Sequence, residues 1–334
     1  MSVPPSSAID ARAPHWRTDL PRWRHLVTPQ WLACLLGGRP AQAAPAGAWR
    51  LFDVNDGPWE PEHPGHIPGA HWLDTNLLEQ PPLWNKVPDA QLLRRLPALG
   101  IRHDTTVILT GRHQSAAARA AHLLMVAGVS DVRLLDGATA AWRAAGLPLA
   151  HDAPPAPVPV ASFGLHLPAC PHWLVDTHQV RAMLADRRRG TLVSIRSRDE
   201  YLGITSGYAS IATRGDIPGA AWGRAGDSRD MNSMCDYQDA DGRMKPAADI
   251  LDFWRANGIT PQRHNAFYCG TGWRASLAFF YAWLMGWDDI SVYDGGWLEW
   301  SSDPANPTIV RRHHAAARMP AAGAAEADRA PLHA

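Results

Sequence analysis

An excess of charge of either sign is missing from this chain. Across 334 residues, 32 lysines and arginines offset 32 aspartates and glutamates. No basic field exists to gather phosphates, which argues against nucleic-acid binding. Long apolar runs are missing as well: the stretch from Phe279 to Trp287 is too short for a bilayer span and follows Arg274. The opening stretch MSVPPSSAIDARAPHWRTDLPRWRH has no continuous apolar segment and mixes both charge signs, so no signal peptide is expected. Cysteine is scarce and scattered, at Cys34, Cys170, Cys235 and Cys269. These four form no Cys-x-x-Cys pair and no zinc-like spacing with the sixteen histidines, so neither a metal nor another cofactor is expected. Free thiols of this kind fit a reduced, cytoplasmic protein.

What is present suits a globular chain. Apolar residues make up 46% and charged residues 19%, enough for a sizeable core, and the length favours two domains. Sixteen tryptophans read mainly as packing residues. The chain also repeats itself. AGVSDVRLLDGATAAWRAAGLP from Ala127 aligns with MGWDDISVYDGGWLEWSSDP from Met285, so that Gly128 matches Gly286 and Asp131 matches Asp289. In the same blocks Asp136-Gly137 matches Asp294-Gly295, and Trp142 matches Trp300, at a constant offset of 158 residues. Upstream, HIPGAHW at His66 matches DIPGAAW at Asp216, and HLVTPQWLACLL at His25 is similar to WLVDTHQVRAML at Trp173. Blocks recurring in one order indicate a tandem duplication.

The expected organisation is therefore a domain over 21–150, a proline-rich linker over 151–172 that runs extended, and a second domain over 173–308. Flexible ends are expected at 1–20 and 309–334. In the second copy TLVSI (191–195), NAFY (265–268) and ISVY (290–293) read as strands. Leu277, Phe280, Tyr281 and Leu284 mark a buried helix that Gly286 stops. Strand–helix alternation predicts an α/β fold in each copy, with a parallel sheet and helices on both faces.

Cys269 falls between one such strand and the buried helix, in FYCGTGWRASLAFF. The C-terminal ends of parallel strands are where open α/β sheets place their ligands. Gly270 and Gly272 let the backbone curl so that amides converge on one point, and the helix N-terminus adds its positive end. Such a nest stabilises a thiolate or another sulfur anion, and Arg274 closes the loop with a permanent charge. A buried structural cysteine is the plain alternative; the glycines, the arginine and the position favour a nucleophile. In the first copy the offset puts Gly111 where Cys269 stands, within ILTGRHQSAAARAA, so that copy has no thiol near this loop and cannot form a persulfide there. A residual anion-binding role for its Gly111–Ser115 loop has no further sequence support.

With these residues in hand, the chain resembles the tandem-domain rhodanese family of sulfurtransferases over nearly its whole ordered length. CGTGWR looks like that family's six-residue active-site loop, DIPGA its HIPGA segment, and YDGGWLEW the stretch after its active-site helix. SIRSRDEY (194–201) is similar to the family's DxRxxxEY, with Ser194 in place of the aspartate. The loop and the Ser206–Tyr208 SGY resemble one thiosulfate sulfurtransferase branch more than the mercaptopyruvate enzymes, which carry CG[SA]GVT. Animal-type enzymes carry CRKGVT, whose two basic loop residues fall where Gly270 and Thr271 stand here.

The resemblance implies double displacement. Cys269 takes sulfane sulfur from an anionic donor such as thiosulfate and passes it to cyanide, a small thiol or a thioredoxin-like acceptor, or to a sulfur-carrier protein. The persulfide would be cradled by Gly270, Thr271, Gly272, Trp273 and Arg274. It also implies a silent, structural first domain. For donor binding the candidates are Arg274, then Arg196, which follows the TLVSI strand, and Arg214 ahead of DIPGA. The alternatives are a salt bridge from Arg196 to Asp199 or Glu200 and a solvated loop charge at Arg214. Trp273 either walls the pocket or packs between domains; Tyr208 and Tyr237 are further pocket candidates. Cys235 is read as a bystander thiol, with persulfide resolution as its alternative role; His66 and His264 are read as loop histidines.

Three competing functions stand beside this one. A 3-mercaptopyruvate donor leaves the mechanism unchanged. A cysteine phosphatase or arsenate reductase needs one more residue between cysteine and arginine than Gly270–Trp273 supplies. A sulfur-relay or docking scaffold is disfavoured by the cysteine kept in the second copy alone.

Overall fold

The computed structural model describes residues 17–311. The first domain places β1 (Leu26–Val27), β2 (Trp49–Asn55), β3 (His71–Asp74), β6 (Thr106–Gly111) and β7 (Asp131–Leu135) in a parallel sheet ordered β1-β7-β6-β2-β3. A short antiparallel hairpin, β4 (Glu79–Gln80) with β5 (Asn85–Lys86), stands apart from it. Its helices are α1 (Pro29–Leu36), α2 (Asp89–Ala98), α3 (Gln114–Ala127) and α4 (Ala138–Ala144).

The second domain repeats the plan with β8 (Leu174–Val175), β9 (Thr191–Ser194), β10 (Ala221–Trp222), β11 (Asn265–Tyr268) and β12 (Ile290–Tyr293). Their order, β8-β12-β11-β9-β10, is that of the first sheet. Its helices are α5 (Thr177–Ala185), α6 (Arg198–Leu202), α7 (Ala247–Ala256), α8 (Trp273–Leu284) and α9 (Gly296–Ser302). Strands β11 and β12 coincide with NAFY and ISVY; β9 stops at Ser194, one residue short of the expected end. Between the sheets the proline-rich segment forms neither helix nor strand before a 3-10 turn at Pro171–Trp173, and it seats Phe163, 2% exposed, in the core. The ends expected to be flexible fall mostly outside the described residues. Within them, Leu20 is buried and Ile309 bridges Asp216.

Two helices that follow the matching strands β6 and β11 are buried along nearly their whole surface, Trp273 and Trp283 of α8 being half-buried, and pack on each other. Every residue of α3 is buried, and it is rich in alanine; α8 presents Leu277, Phe279 and Phe280. Small side chains on one helix and aromatic ones on the other pack together across the interface. Phe279 meets the His122 ring edge-on at 4.7 Å. One continuous apolar core thus runs from β2 and β6 of the first sheet to β11 and β12 of the second.

The duplication is also visible in polar contacts across the interface. The Lys86 amide donates to Asp294 at 2.9 Å, and the Met244 amide to Asp136 at 2.8 Å. One donor lies in the first copy's β4–β5 hairpin and the other in a loop of the second copy, and each acceptor belongs to the other copy's Asp-Gly pair, so the domains clasp reciprocally. Since both halves share one core, Phe279→Ala is expected to cost about 3–5 kcal/mol. Calorimetry should show one cooperative transition shifting as a unit rather than two separating peaks.

Candidate active site

The loop after β11 is built around its glycines. Cys269 is 1% exposed, and its Sγ accepts the Gly272 amide at 3.2 Å. Gly272 has φ +107°, in the left-handed region, which turns that amide back toward the sulfur. The loop's carbonyls are tied from below by the start of α9. The Trp297 amide donates to Cys269 O at 2.8 Å and the Leu298 amide to Gly270 O at 3.0 Å. This close approach requires Gly296, where a Cβ would lie 2.6 Å from Gly270 O. The stretch DGGW that follows β12 is therefore the floor of the site.

Gly270 is a glycine because Tyr208 lies against it: a Cβ there would meet the ring at 2.2 Å. Tyr208 is delivered by the SGY turn, and its hydroxyl accepts from Arg274 Nη2 at 2.9 Å. Burial, then the nearby Cys269 and Glu200, push its phenol above the ordinary value against the pull of Arg274, so it stays neutral. A basic side chain at position 270, as in the animal-type loop, has no room beside this ring.

Arg274 points away from the loop's mouth. Its two terminal nitrogens form a fork with Glu200, at 2.9 and 2.8 Å, and both side chains are buried. Glu200 is fixed by a capping box at the start of α6, in which the Ser197 amide donates to Glu200 Oε2 at 2.8 Å. Burial alone raises the Glu200 carboxyl, but Arg274 and Arg196 outweigh it and hold the group down at about 2. For Arg274, burial opposes the charge, yet Tyr208 and Glu200 keep the guanidinium protonated.

Arg196 lies one layer deeper. It is fully buried, donates to Gly215 O and to Ser206 O at 3.0 Å, and stacks its guanidinium 4.9 Å from the Trp297 ring centre. Its ion pairs are with Glu200 at 3.5 Å and Asp216 at 3.6 Å. It braces the site's floor and does not line the cleft. Arg214 is exposed and also lies outside the cleft lining.

Asp216 explains the serine at 194. Its carboxylate accepts from Ser194 Oγ at 2.9 Å, from the Tyr268 hydroxyl and from the Ile217 amide. In the first copy the acid sits on the strand, as Asp53, and the HIPGA segment supplies His66. In the second copy the acid has moved to the DIPGA segment, and the strand keeps a neutral donor. Two facing carboxylates are thereby avoided.

The remaining expected residues divide. Tyr237 is core, with its hydroxyl on Gly223 O and Trp254 Nε1 on that hydroxyl at 2.9 Å. Cys235 is exposed, in a loop whose Met231 and Asn232 reach the cleft. His66 bonds backbone carbonyls, and His264 bonds Asp289 and Ser291.

Outside the loop opens a cleft of about 680 Å³ between the domains. Thr271, Trp273, Arg274 and Tyr208 form one wall; the first domain supplies Trp72, Trp84, Asp56, Glu60, Glu62, Glu79 and Arg112. Trp273 both walls the cleft and bridges the domains, since its indole N–H donates to Glu79 at 2.6 Å. Arg112, one residue past Gly111, is exposed and forms no ion pair among the described residues. It is the cleft arginine without a carboxylate, supplied by the copy that has no cysteine in its loop. Gly111 itself pairs with Val54 in the sheet, and a Cβ there would fall 2.2 Å from Val54 O. The first copy has lost the room for a cysteine as well as the cysteine.

These features meet a clear match among known proteins. The Rhodanese-like domain signature covers residues 28–145 and 176–303, and the chain belongs to that family. The thiosulfate sulfurtransferase YnjE of Escherichia coli (strain K12) is 50% identical over 288 residues, 86% of this chain. The aligned region is 66% of the length of YnjE. A probable 3-mercaptopyruvate sulfurtransferase of Pseudomonas aeruginosa is 32% identical over 253 residues, covering 72% of this chain and 83% of the relative. The crystal structure of YnjE superposes with a TM-score of 0.84 at 49% identity, covering 88% of this chain and 70% of that one. A structure of EanB with ergothioneine covalently linked to a persulfide cysteine superposes equally well at 36% identity, covering 88% and 72%. Among the described residues no helix is long and apolar enough to cross a membrane.

The Glu200–Arg274 pair makes a pH prediction. A carboxyl held below its ordinary value of 4.5 stabilises the fold above that pH, and the benefit disappears as pH falls toward 2. The expected loss is about 3 kcal/mol over that window. Chemical denaturation at stepped pH should show this slope in the wild type and a flatter, lower profile in Glu200→Gln, which leaves Arg274 buried without its counter-charge.

Proposed function

We propose that the protein is a sulfurtransferase that moves sulfane sulfur from thiosulfate to a thiol or cyanide as a Cys269 persulfide. The observation that carries this reading is the Gly272 amide aimed at Cys269 Sγ at 3.2 Å. The loop's carbonyls are meanwhile tied back by α9. A fixed amide facing the sulfur, with the neighbouring carbonyls withdrawn, favours a sulfur anion.

In the first half-reaction the Cys269 thiolate attacks the outer sulfur of thiosulfate. The new S–S bond forms as the donor's S–S bond breaks, and sulfite leaves with the electron pair. In the second, an acceptor thiolate or cyanide attacks the outer sulfur, and the electron pair of the broken bond returns to Cys269. Both leaving groups are anions, so no general acid is needed. Arg112 supplies the cation that meets the donor, because the Arg274 and Arg196 charges are spent on Glu200 and Asp216. Identity with YnjE over most of this chain supports thiosulfate as donor, and the EanB structure supports a persulfide on this scaffold.

One observation favours a particular acceptor class. The far wall of the cleft combines Asp56, Glu60 and Glu62 with Trp72 and Trp84. Acids interleaved with aromatic faces suit a neutral or cationic organic acceptor better than a second anion.

Intact mass spectrometry of reduced protein treated with thiosulfate tests the function. Wild type should gain about 32 Da, released by cyanide as thiocyanate, and Cys269→Ser should gain nothing. An adduct only with 3-mercaptopyruvate would change the donor; no adduct with either would end the sulfurtransferase reading in favour of a docking scaffold. Arg112→Ala should raise the KM for thiosulfate about 5–10-fold with kcat within about twofold.

A further inference from the structure

The first domain has Gly111 where the second has Cys269, yet two of its buried side chains reach the second domain's loop. Glu79 and Arg119 are each about 1% exposed. Glu79 Oε2 accepts from Arg119 Nε at 2.9 Å, and Glu79 Oε1 accepts the Trp273 indole N–H at 2.6 Å. Arg119 Nη2 crosses the interface to Asp294 Oδ1 at 2.6 Å and also donates to Trp84 O at 3.2 Å. Its other terminal nitrogen, Nη1, is buried without a partner and faces Gly272: a Cβ on that glycine would lie 3.0 Å from it.

These contacts fall on both halves of the sulfur site. Trp273 directly follows Gly272, whose amide meets Cys269 Sγ. Asp294 opens the segment whose Trp297 and Leu298 amides hold the carbonyls of Cys269 and Gly270. One guanidinium of the first domain therefore grips the loop through Glu79 and Trp273, and the floor through Asp294. A planar fork does this where a lysine's point charge would not. Domain adhesion alone would not need it, because the α3–α8 core already joins the halves through apolar contacts.

We propose that Glu79 and Arg119 of the first domain are positioning residues for the Cys269 loop, so that the copy without a loop cysteine completes the working geometry of the copy that has one. The kinetic part of this inference rests on the persulfide reading; the loop-geometry part does not.

The test uses the full chain as wild type, Trp273→Phe, Glu79→Gln and their double variant. Trp273→Phe keeps an aromatic ring and removes the indole N–H. Two readouts are taken beside the thermal midpoint. One is steady-state sulfur transfer from thiosulfate. The other is the rate at which iodoacetamide alkylates Cys269, followed by peptide mass spectrometry so that Cys34, Cys170 and Cys235 do not interfere. A positioning role predicts kcat lower by about tenfold or more with KM within about threefold, and the double variant no worse than the poorer single. It also predicts Cys269 alkylation about tenfold faster in each variant, as a loosened loop exposes a buried sulfur. Alkylation within about twofold of wild type in Trp273→Phe would overturn the inference, as would kinetic losses that simply follow the thermal midpoint and add between the two sites. If wild type takes no sulfur while alkylation still responds, the persulfide reading falls and the positioning role stands.

Discussion

The constraint on which the rest depends is that α3 and α8 have no face for water. An alanine-rich helix and an aromatic-rich one, each directly after the strand that ends at Gly111 or Tyr268, can be buried fully only against each other. That single packing fuses two sheets into one core and brings the C-terminal edges of both to the same cleft. It also decides what the cleft can contain. Loops from two copies meet there, so residues from the first domain stand opposite the thiol of the second.

Buried charge follows a common rule around the site. Arg119, Arg196 and Arg274 are among the largest fully buried side chains of the molecule, and each meets at least one carboxylate. A guanidinium cannot shed its proton to escape desolvation, so each buried one must be matched. The matching removes these arginines from the pool that could greet an anionic donor and makes them a scaffold. Only an exposed arginine keeps a usable charge, and in this cleft that arginine belongs to the degenerate loop.

Much of this was legible in the sequence, for definable reasons. Strand runs such as NAFY and ISVY, the gapless repeat and the Cys269 loop are local patterns, and local patterns survive translation into structure. The loop's internal geometry could be read because glycine spacing encodes backbone shape. Charge roles could not be read in the same way. Arg196 looked like a substrate ligand because it follows a strand, whereas its partners Glu200, Gly215 and Asp216 are set by packing. The SRDE of Ser197–Glu200 is a capping-box signature that could have flagged Glu200 as fixed, and hence Arg274 as taken. Glu79 and Arg119 carried no signal of their own, and Arg112 only its place in the Gly111–Ser115 loop, since the docking of one copy on the other sets what they meet. The serine at 194 looked like a defect in a motif until Asp216 showed that the acid had changed sides.

The sheet position of Gly111 bears on how such a molecule ages. After a duplication, a copy that merely loses its cysteine can regain it by a single substitution. Here β6 has advanced one residue farther than its counterpart β11, and the backbone of Val54 now occupies the space a side chain at 111 would need. The next residue, Arg112, lines the cleft between the two copies. Regaining the thiol would mean withdrawing the strand first, at the expense of ladder contacts and of whatever Arg112 contributes. The division of labour between the halves therefore works as a ratchet: inheritance can refine the second site, but a return to two equal ones is barred by a carbonyl oxygen.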